Sequence, residues 1–135
     1  MANDSITLIS SVNGESFGIV ESDIIYCITR GSTVDVIYDN TGAKQRVINV
    51  TETISAIKAL SGVLLNVKSN DIEYLINVEK VDSVVDNDSN GDGSVDSAKA
   101  IYDDGSASLK PMFITEANGN STTNATTLIT EINLL

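Results

Sequence analysis

The chain matches itself, and that match narrows its fold more than any other feature. Residues 6–28 (ITLISSVNGESFGIVESDIIYCI) lie over residues 63–85 (VLLNVKSNDIEYLINVEKVDSVV) without a gap, at a spacing of 57 (63 − 6). Phe17 falls on Tyr74, Ile19 on Ile76, Ile24 on Val81, Cys27 on Val84 and Ile28 on Val85, and Asn13 falls on Asn70 in a turn-like setting. Further along, Val36-Ile37-Tyr38-Asp39 matches Ala100-Ile101-Tyr102-Asp103 and Val50-Thr51-Glu52 matches Ile114-Thr115-Glu116 at a spacing of 64 (100 − 36), so the second copy holds seven extra residues (64 − 57). A fixed offset that resumes in the same order is the mark of a duplicated structural unit.

Within the first copy, short apolar runs broken by turn formers predict strands over residues 6–11, 16–20, 24–29, 33–38 and 45–50. The turns fall at Asn13-Gly14, Arg30-Gly31 and Asn40-Thr41-Gly42. Alternation over 33–38 puts Val34, Val36 and Tyr38 on a core face and Thr33, Asp35 and Ile37 on the other. Ile54, Ile57 and Leu60 at helical spacing predict a helix over 52–60, started by Asn49 or Thr51 and stopped before Gly62. The second copy has a polar loop over 118–124 in its place, and the apolar stretch 127–135 is expected to form a closing strand.

The fold class expected is therefore mainly β: two tandem diverged repeats forming a small barrel or sandwich with one short linking helix. Residues 1–62 hold the first repeat and its helix; residues 63–135 hold the second repeat, with an acidic loop insertion and a C-terminal strand. Aromatics make up only 4% of the 135 residues and Trp is absent, so branched aliphatics must supply the packing.

The seven extra residues coincide with the one segment that has metal chemistry in it, residues 86–96 (DNDSNGDGSVD). Hard cations such as calcium take several carboxylate and carbonyl oxygens gathered by a sharp glycine turn. Started at Asp88, the register offers Asp88, Asn90 and Asp92, a turn at Gly93, the carbonyl of Ser94, an apolar anchor at Val95 and Asp96 at the ninth place. This loop resembles that of EF-hand proteins over these residues. It departs from the pattern at the twelfth position, where Lys99 stands in place of a bidentate Glu. The candidate metal residues are Asp88, Asn90, Asp92, Ser94 and Asp96, and the cofactor expectation is none, or weakly bound calcium.

Eight Lys and Arg against nineteen Asp and Glu leave a net charge of −11, which repels nucleic acid and anionic membranes. The chain has no His, so the commonest general base is missing, and the sequence has no phosphate-binding glycine loop and no CxxC. Glu52 and Glu116 occupy equivalent places and could form a carboxylate pair, while their TE context fits a helix or turn cap equally well. No enzymatic role is expected. Cys27, alone among apolar neighbours, reads as a buried thiol. The Asn-x-Ser/Thr strings at Asn3, Asn49, Asn87, Asn120 and Asn124 reflect composition. The first five residues lack the basic start and apolar run of a signal peptide, which predicts synthesis in a host cytoplasm.

Small, acidic, β-rich, cysteine-poor chains of this style resemble the decoration and accessory proteins of tailed-phage capsids. The resemblance implies localisation in a virion, other virion proteins of the capsid or tail as partners, and a homo-oligomeric state. Sheet edges and aliphatic patches would make the contacts, with no nucleic acid and no membrane. Two other roles fit the composition: a calcium-stabilised binding module and an acidic DNA-mimic inhibitor.

Overall fold

The computed structural model describes residues 5–39, 45–106 and 108–135. In chain order it contains β1 (Ser5–Ile9), β2 (Ser16–Val20), a 3-10 turn (Glu21–Asp23), β3 (Ile24–Arg30), β4 (Thr33–Tyr38), β5 (Arg46–Val50) and α1 (Ile54–Ala59). There follow β6 (Leu64–Ser69), β7 (Ile72–Asn77), a second 3-10 turn (Val78–Lys80), β8 (Val81–Asn87), β9 (Ser97–Tyr102) and β10 (Lys110–Ile114). The short pair β11 (Glu116–Ala117) and β12 (Asn120–Ser121) precedes α2 (Ala125–Asn133). The protein is mainly β. Its strands lie in three antiparallel sheets, of order β1-β2, β10-β9-β8 and β12-β11-β6-β7-β3-β4-β5, and among the described residues none closes on itself as a barrel.

Alternation decides which side chains are buried. Val34 and Val36 enter a core with Ile6, Leu8, Ile19, Ile24, Cys27 and Val50, and Tyr38 packs against it. Asp35 stays on the opposite face, bonded to Arg30 and Asn49. β6 and β7 are apolar on both faces because they are covered on both. Leu64 and Leu75 join this first core, whereas Leu65, Val67 and Ile76 join a second one with Ala98, Ala100, Met112, Ile114 and Leu128. A third cluster, of Ile25, Ile28 and Ile37 with Tyr26, Tyr74 and Tyr102 against it, packs where strands of both halves meet.

The elements recur at fixed spacings. The 3-10 turns and β3/β8 lie 57 apart (78 − 21 and 81 − 24), and β4/β9 and β5/β10 lie 64 apart (97 − 33 and 110 − 46). Irregularities recur too: the register slips between Ile24 and Tyr26 in β3 and between Val81 and Ser83 in β8. The amide of Asp39 donates to Asp23 O at 2.9 Å, and that of Asp103 to Lys80 O at 2.8 Å, which are the same two places. The first hairpin departs from the gapless alignment. Ile6 pairs with Ile19 and Leu65 with Ile76, so before the turn the spacing is 59 (65 − 6). The second hairpin is shorter by two residues and turns tightly on Asn70 (φ 51°) and Asp71 (φ 63°).

The closing segment is a helix and not the expected strand. Thr and Ile favour strands in isolation, but Asn124 starts a capping box: its Oδ1 accepts from the Thr127 amide at 2.9 Å, and Thr127 Oγ1 accepts from the Asn124 amide at 3.2 Å. Leu128 and Ile132, four residues apart, then pack into the second core. The linking helix is shorter than expected and is capped by Thr53, whose Oγ1 accepts from the Ala56 amide at 3.1 Å. Thr51 donates its amide to Ile9 O instead, and Asn49 lies in β5. The polar loop after β10 contains the β11-β12 hairpin, turned on Asn118 and Gly119 at positive φ. The expected turn at Asn40-Thr41-Gly42, and Asn3, lie outside the described residues.

Candidate functional site

The acidic segment starts as strand and ends as a long connection. Asp86 and Asn87 belong to β8, and residues 88–96 join it to β9, where the equivalent β3-β4 turn has only Gly31 and Ser32. Asp86 Oδ1 accepts from the amide of Ala125 at 2.8 Å, so one acid of the segment serves the positive end of α2.

Asp88 organises the loop. Its Oδ1 accepts from the amides of Gly91 (2.9 Å) and Asp92 (3.3 Å), and its Oδ2 from that of Gly93 (2.7 Å). Gly91 (φ 73°) and Gly93 (φ 87°) supply the left-handed backbone that brings these amides around one carboxylate. Asn90 Oδ1 accepts from Asp92 N at 3.2 Å, and Asp92 Oδ1 from Ser94 N at 2.8 Å. Asp96 closes the base, accepting from Ser89 N at 3.0 Å and Ser89 Oγ at 2.7 Å. These two bonds hold its carboxyl below the usual Asp range. Asp88, Asn90, Asp92, Ser94 and Asp96 thus share one loop, and each of the three carboxylates accepts from backbone amides. Among the described residues no group of three or more His, Cys, Asp or Glu is placed to hold a metal ion.

A second acidic place was not anticipated. Asp23, Asp39, Lys80, Asp103 and Asp104 line an open cleft of about 390 Å³ with Ile25, Gly105 and Ser106. It forms where the 3-10 turns and the ends of β4 and β9 approach each other. Asp39 (9% exposed) and Asp104 (7% exposed) are buried. Burial opposes ionisation of Asp104, but hydrogen bonds from Ser106 outweigh it and lower its pKa. Gly105 has φ +85°, which strains any residue with a side chain, and a Cβ there would lie 2.2 Å from Asp39 Oδ2 and have to displace that carboxylate. The matched Tyr-Asp at 38–39 and 102–103 was the sequence signal for this cleft.

Glu52 and Glu116 serve different partners. Both Glu52 oxygens accept from the Ile9 amide (3.0 and 3.1 Å), and Glu116 Oε1 lies 3.9 Å from Lys68 Nζ. Cys27 is fully buried, and burial pushes its thiol up to about 12, which keeps it protonated and inert. No helix among the described residues is long and apolar enough to cross a membrane. Set against known proteins, the chain matches no family model, no curated protein and no solved structure.

Proposed function

We propose that the chain is a structural component of a viral particle, a capsid decoration or accessory protein, built from two diverged copies of one five-stranded unit. The units stand as two small sandwiches that share the β6-β7 pair. The observation that carries this reading is the pattern of open edges: β2, β8 and β10 each border a sheet with one side unpaired among the described residues, and the outer side of β5 is bridged at its Val50 end, by Ser10. Unpaired edges are hydrogen-bonding templates for another chain. Val47, Val85 and Phe113 stand exposed on β5, β8 and β10, where contact with a lattice would cover them.

Mass spectrometry of density-purified particles from the source lysate tests the proposal. A ratio of order one to the major shell protein fits decoration, and a far lower ratio fits a neck or tail position. Absence from the particles overturns the reading.

A calcium-stabilised module is the second reading, favoured by Asp88, whose three amide bonds fold the loop around the first of the candidate ligand positions. Under it, calcium raises the melting temperature and Asp92→Ala removes the rise. An unchanged melting temperature rejects it.

A further inference from the structure

The contact that joins the two halves has an unused counterpart at each end of the molecule. β3 of the first half pairs with β7 of the second through Tyr26 with Ile76, Cys27 with Leu75 and Ile28 with Tyr74. The strands equivalent to these are β8 (57 after β3) and β2 (57 before β7). Among the described residues β8 pairs with β9 alone and β2 with β1 alone. One chain therefore displays both sides of a strand pairing that it already makes once internally.

We infer that chains of this protein join head to tail, β8 of one pairing antiparallel with β2 of the next. Moving the internal register by 57 in each half sets the contact as Ser83 with Ile19 (26 + 57; 76 − 57), Val84 with Gly18 and Val85 with Phe17. The inference rests on the two-copy reading above and not on the virion reading.

Three features inside the chain agree with it. β2 (SFGIV) carries neither charge nor proline, the usual devices that blunt an exposed edge. Gly18 sits mid-strand without positive φ and with nothing within 4 Å of an added Cβ, so neither its conformation nor packing within the chain calls for glycine; close approach of another backbone does. The helices also differ. α1 lies on β3 and on the incoming pair β6-β7, burying Ile54 and Ile57. α2 lies on β8 and β9, buries Leu128, and leaves Ile129 42% and Leu134 71% exposed. In the joined arrangement the β1-β2 hairpin of the next chain extends the β8-β9-β10 sheet, as β6-β7 extends β3-β4-β5. Because the two surfaces differ, the contact is heterologous and yields a ring or a filament according to the rotation per subunit.

Cysteine pairing tests the register. In a Cys27→Val background, which installs the residue that the second half has at this place, Gly18→Cys with Val84→Cys sets two thiols opposite each other across the inferred junction. Directly opposed strand residues lie about 4.5–5.5 Å apart at Cα, within disulfide reach. Mild oxidation is expected to give a ladder of covalent dimers and larger species on a non-reducing gel, absent from either single-cysteine chain. Light scattering of the unaltered protein should show a mass that climbs above the 14.3 kDa of one chain as concentration rises.

Monomers alone in both experiments, with wild-type circular dichroism, overturn the inference. Leu75→Cys in the unaltered chain separates the two ways of failing, because Cys27 lies opposite it within one molecule. If that internal bridge forms and the ladder does not, the two-copy arrangement stands and the assembly falls. If neither forms, both fall.

Discussion

Equivalent positions build the two cores, yet the cores are closed by different means. Val34, Val36 and Val50 of the first correspond to Ala98, Ala100 and Ile114 of the second, and Phe17, Tyr38 and Ile48 correspond to Tyr74, Tyr102 and Met112. What is added to each set differs. The first core also receives Leu64 and Leu75 from the reverse face of β6-β7, with Ile54 and Ile57 of α1. The second receives Tyr26 from β3, Ala117 from β11, and Leu128 and Ile132 from α2. The first core thus takes two fully buried leucines from the other half beside its own helix, whereas the second takes from the other half only the partly buried Tyr26 and relies on its own β11 and helix. Corresponding positions keep the pattern where strands face each other and differ where each core is capped.

This contrast makes predictions that fall in order of size. Leu75→Ala removes a side chain wedged into the first core from the second half, and is expected to cost about 2–5 kcal/mol. Leu128→Ala removes the plug of the second core and should cost a similar amount by denaturant titration. Their hydrogen-exchange footprints should differ: Leu75→Ala weakens protection in β3 and β7 together, and Leu128→Ala weakens β8 and β9 while sparing β4 and β5. Identical footprints would mean that the cores are not closed separately.

The next effect comes from the polar tie between the halves. Asn77 is buried, and its Nδ2 donates to Glu21 O (3.3 Å) and Ile24 O (2.8 Å) while its Oδ1 accepts from Glu79 N (2.9 Å). The equivalent position in the first half is Val20 (77 − 57). Asn77→Val removes the side chain that donates to Glu21 O and Ile24 O and accepts from Glu79 N, and should cost about 1–3 kcal/mol, whereas Val20→Asn should change stability little. Asn124→Ala, which removes the α2 cap, should cost about 1 kcal/mol.

The smallest effect is a pH dependence. Burial would raise the Asp35 carboxyl, but hydrogen bonds from Asn49 (2.7 Å) and Arg30 (2.8 Å) outweigh it and hold the group below its ordinary 3.8. The folded state therefore binds this proton less readily than the unfolded chain. The stabilisation is present above the ordinary value and is lost as pH falls through the folded one. Thermal melts between neutral pH and about pH 2 should show wild type losing more stability than Asp35→Asn. The position that corresponds to Asp35 in the second half is Lys99 (35 + 64), so this carboxylate with its Asn49 and Arg30 donors has no counterpart there.

Strand spans were legible because alternation and turn formers are local: 16–20 and 33–38 match β2 and β4 to the residue. From the first hairpin turn onward the second half follows its offset, with the seven extra residues in the β8-β9 connection, whereas before that turn the spacing is 59 and not 57. Strand order was not legible, because nothing in a strand's own sequence names the strand beside it; only the doubly apolar Leu64-Leu65 and Leu75-Ile76 hint that β6 and β7 serve two cores. The last segment misled because its Thr and Ile are strand formers, while the signal that prevailed, Asn124 with Thr127 and then Leu128 and Ile132 at helical spacing, is spread over nine residues. The acidic loop was legible as a turn-rich connection, and its composition did not reveal that Asp88 and Asp96 take backbone amides. The acid-lined cleft was missed because its residues come from four separate turns and strand ends.

The central claim is that the two halves are equivalent units sharing one sheet through β3 and β7. Cross-strand nuclear Overhauser effects in the labelled protein test it most directly. The account predicts contacts of Tyr26 with Ile76 and Ile28 with Tyr74, together with matching register slips before Tyr26 and Ser83. A β3 that contacts β4 alone, or a slip present in only one of the two strands, would contradict it.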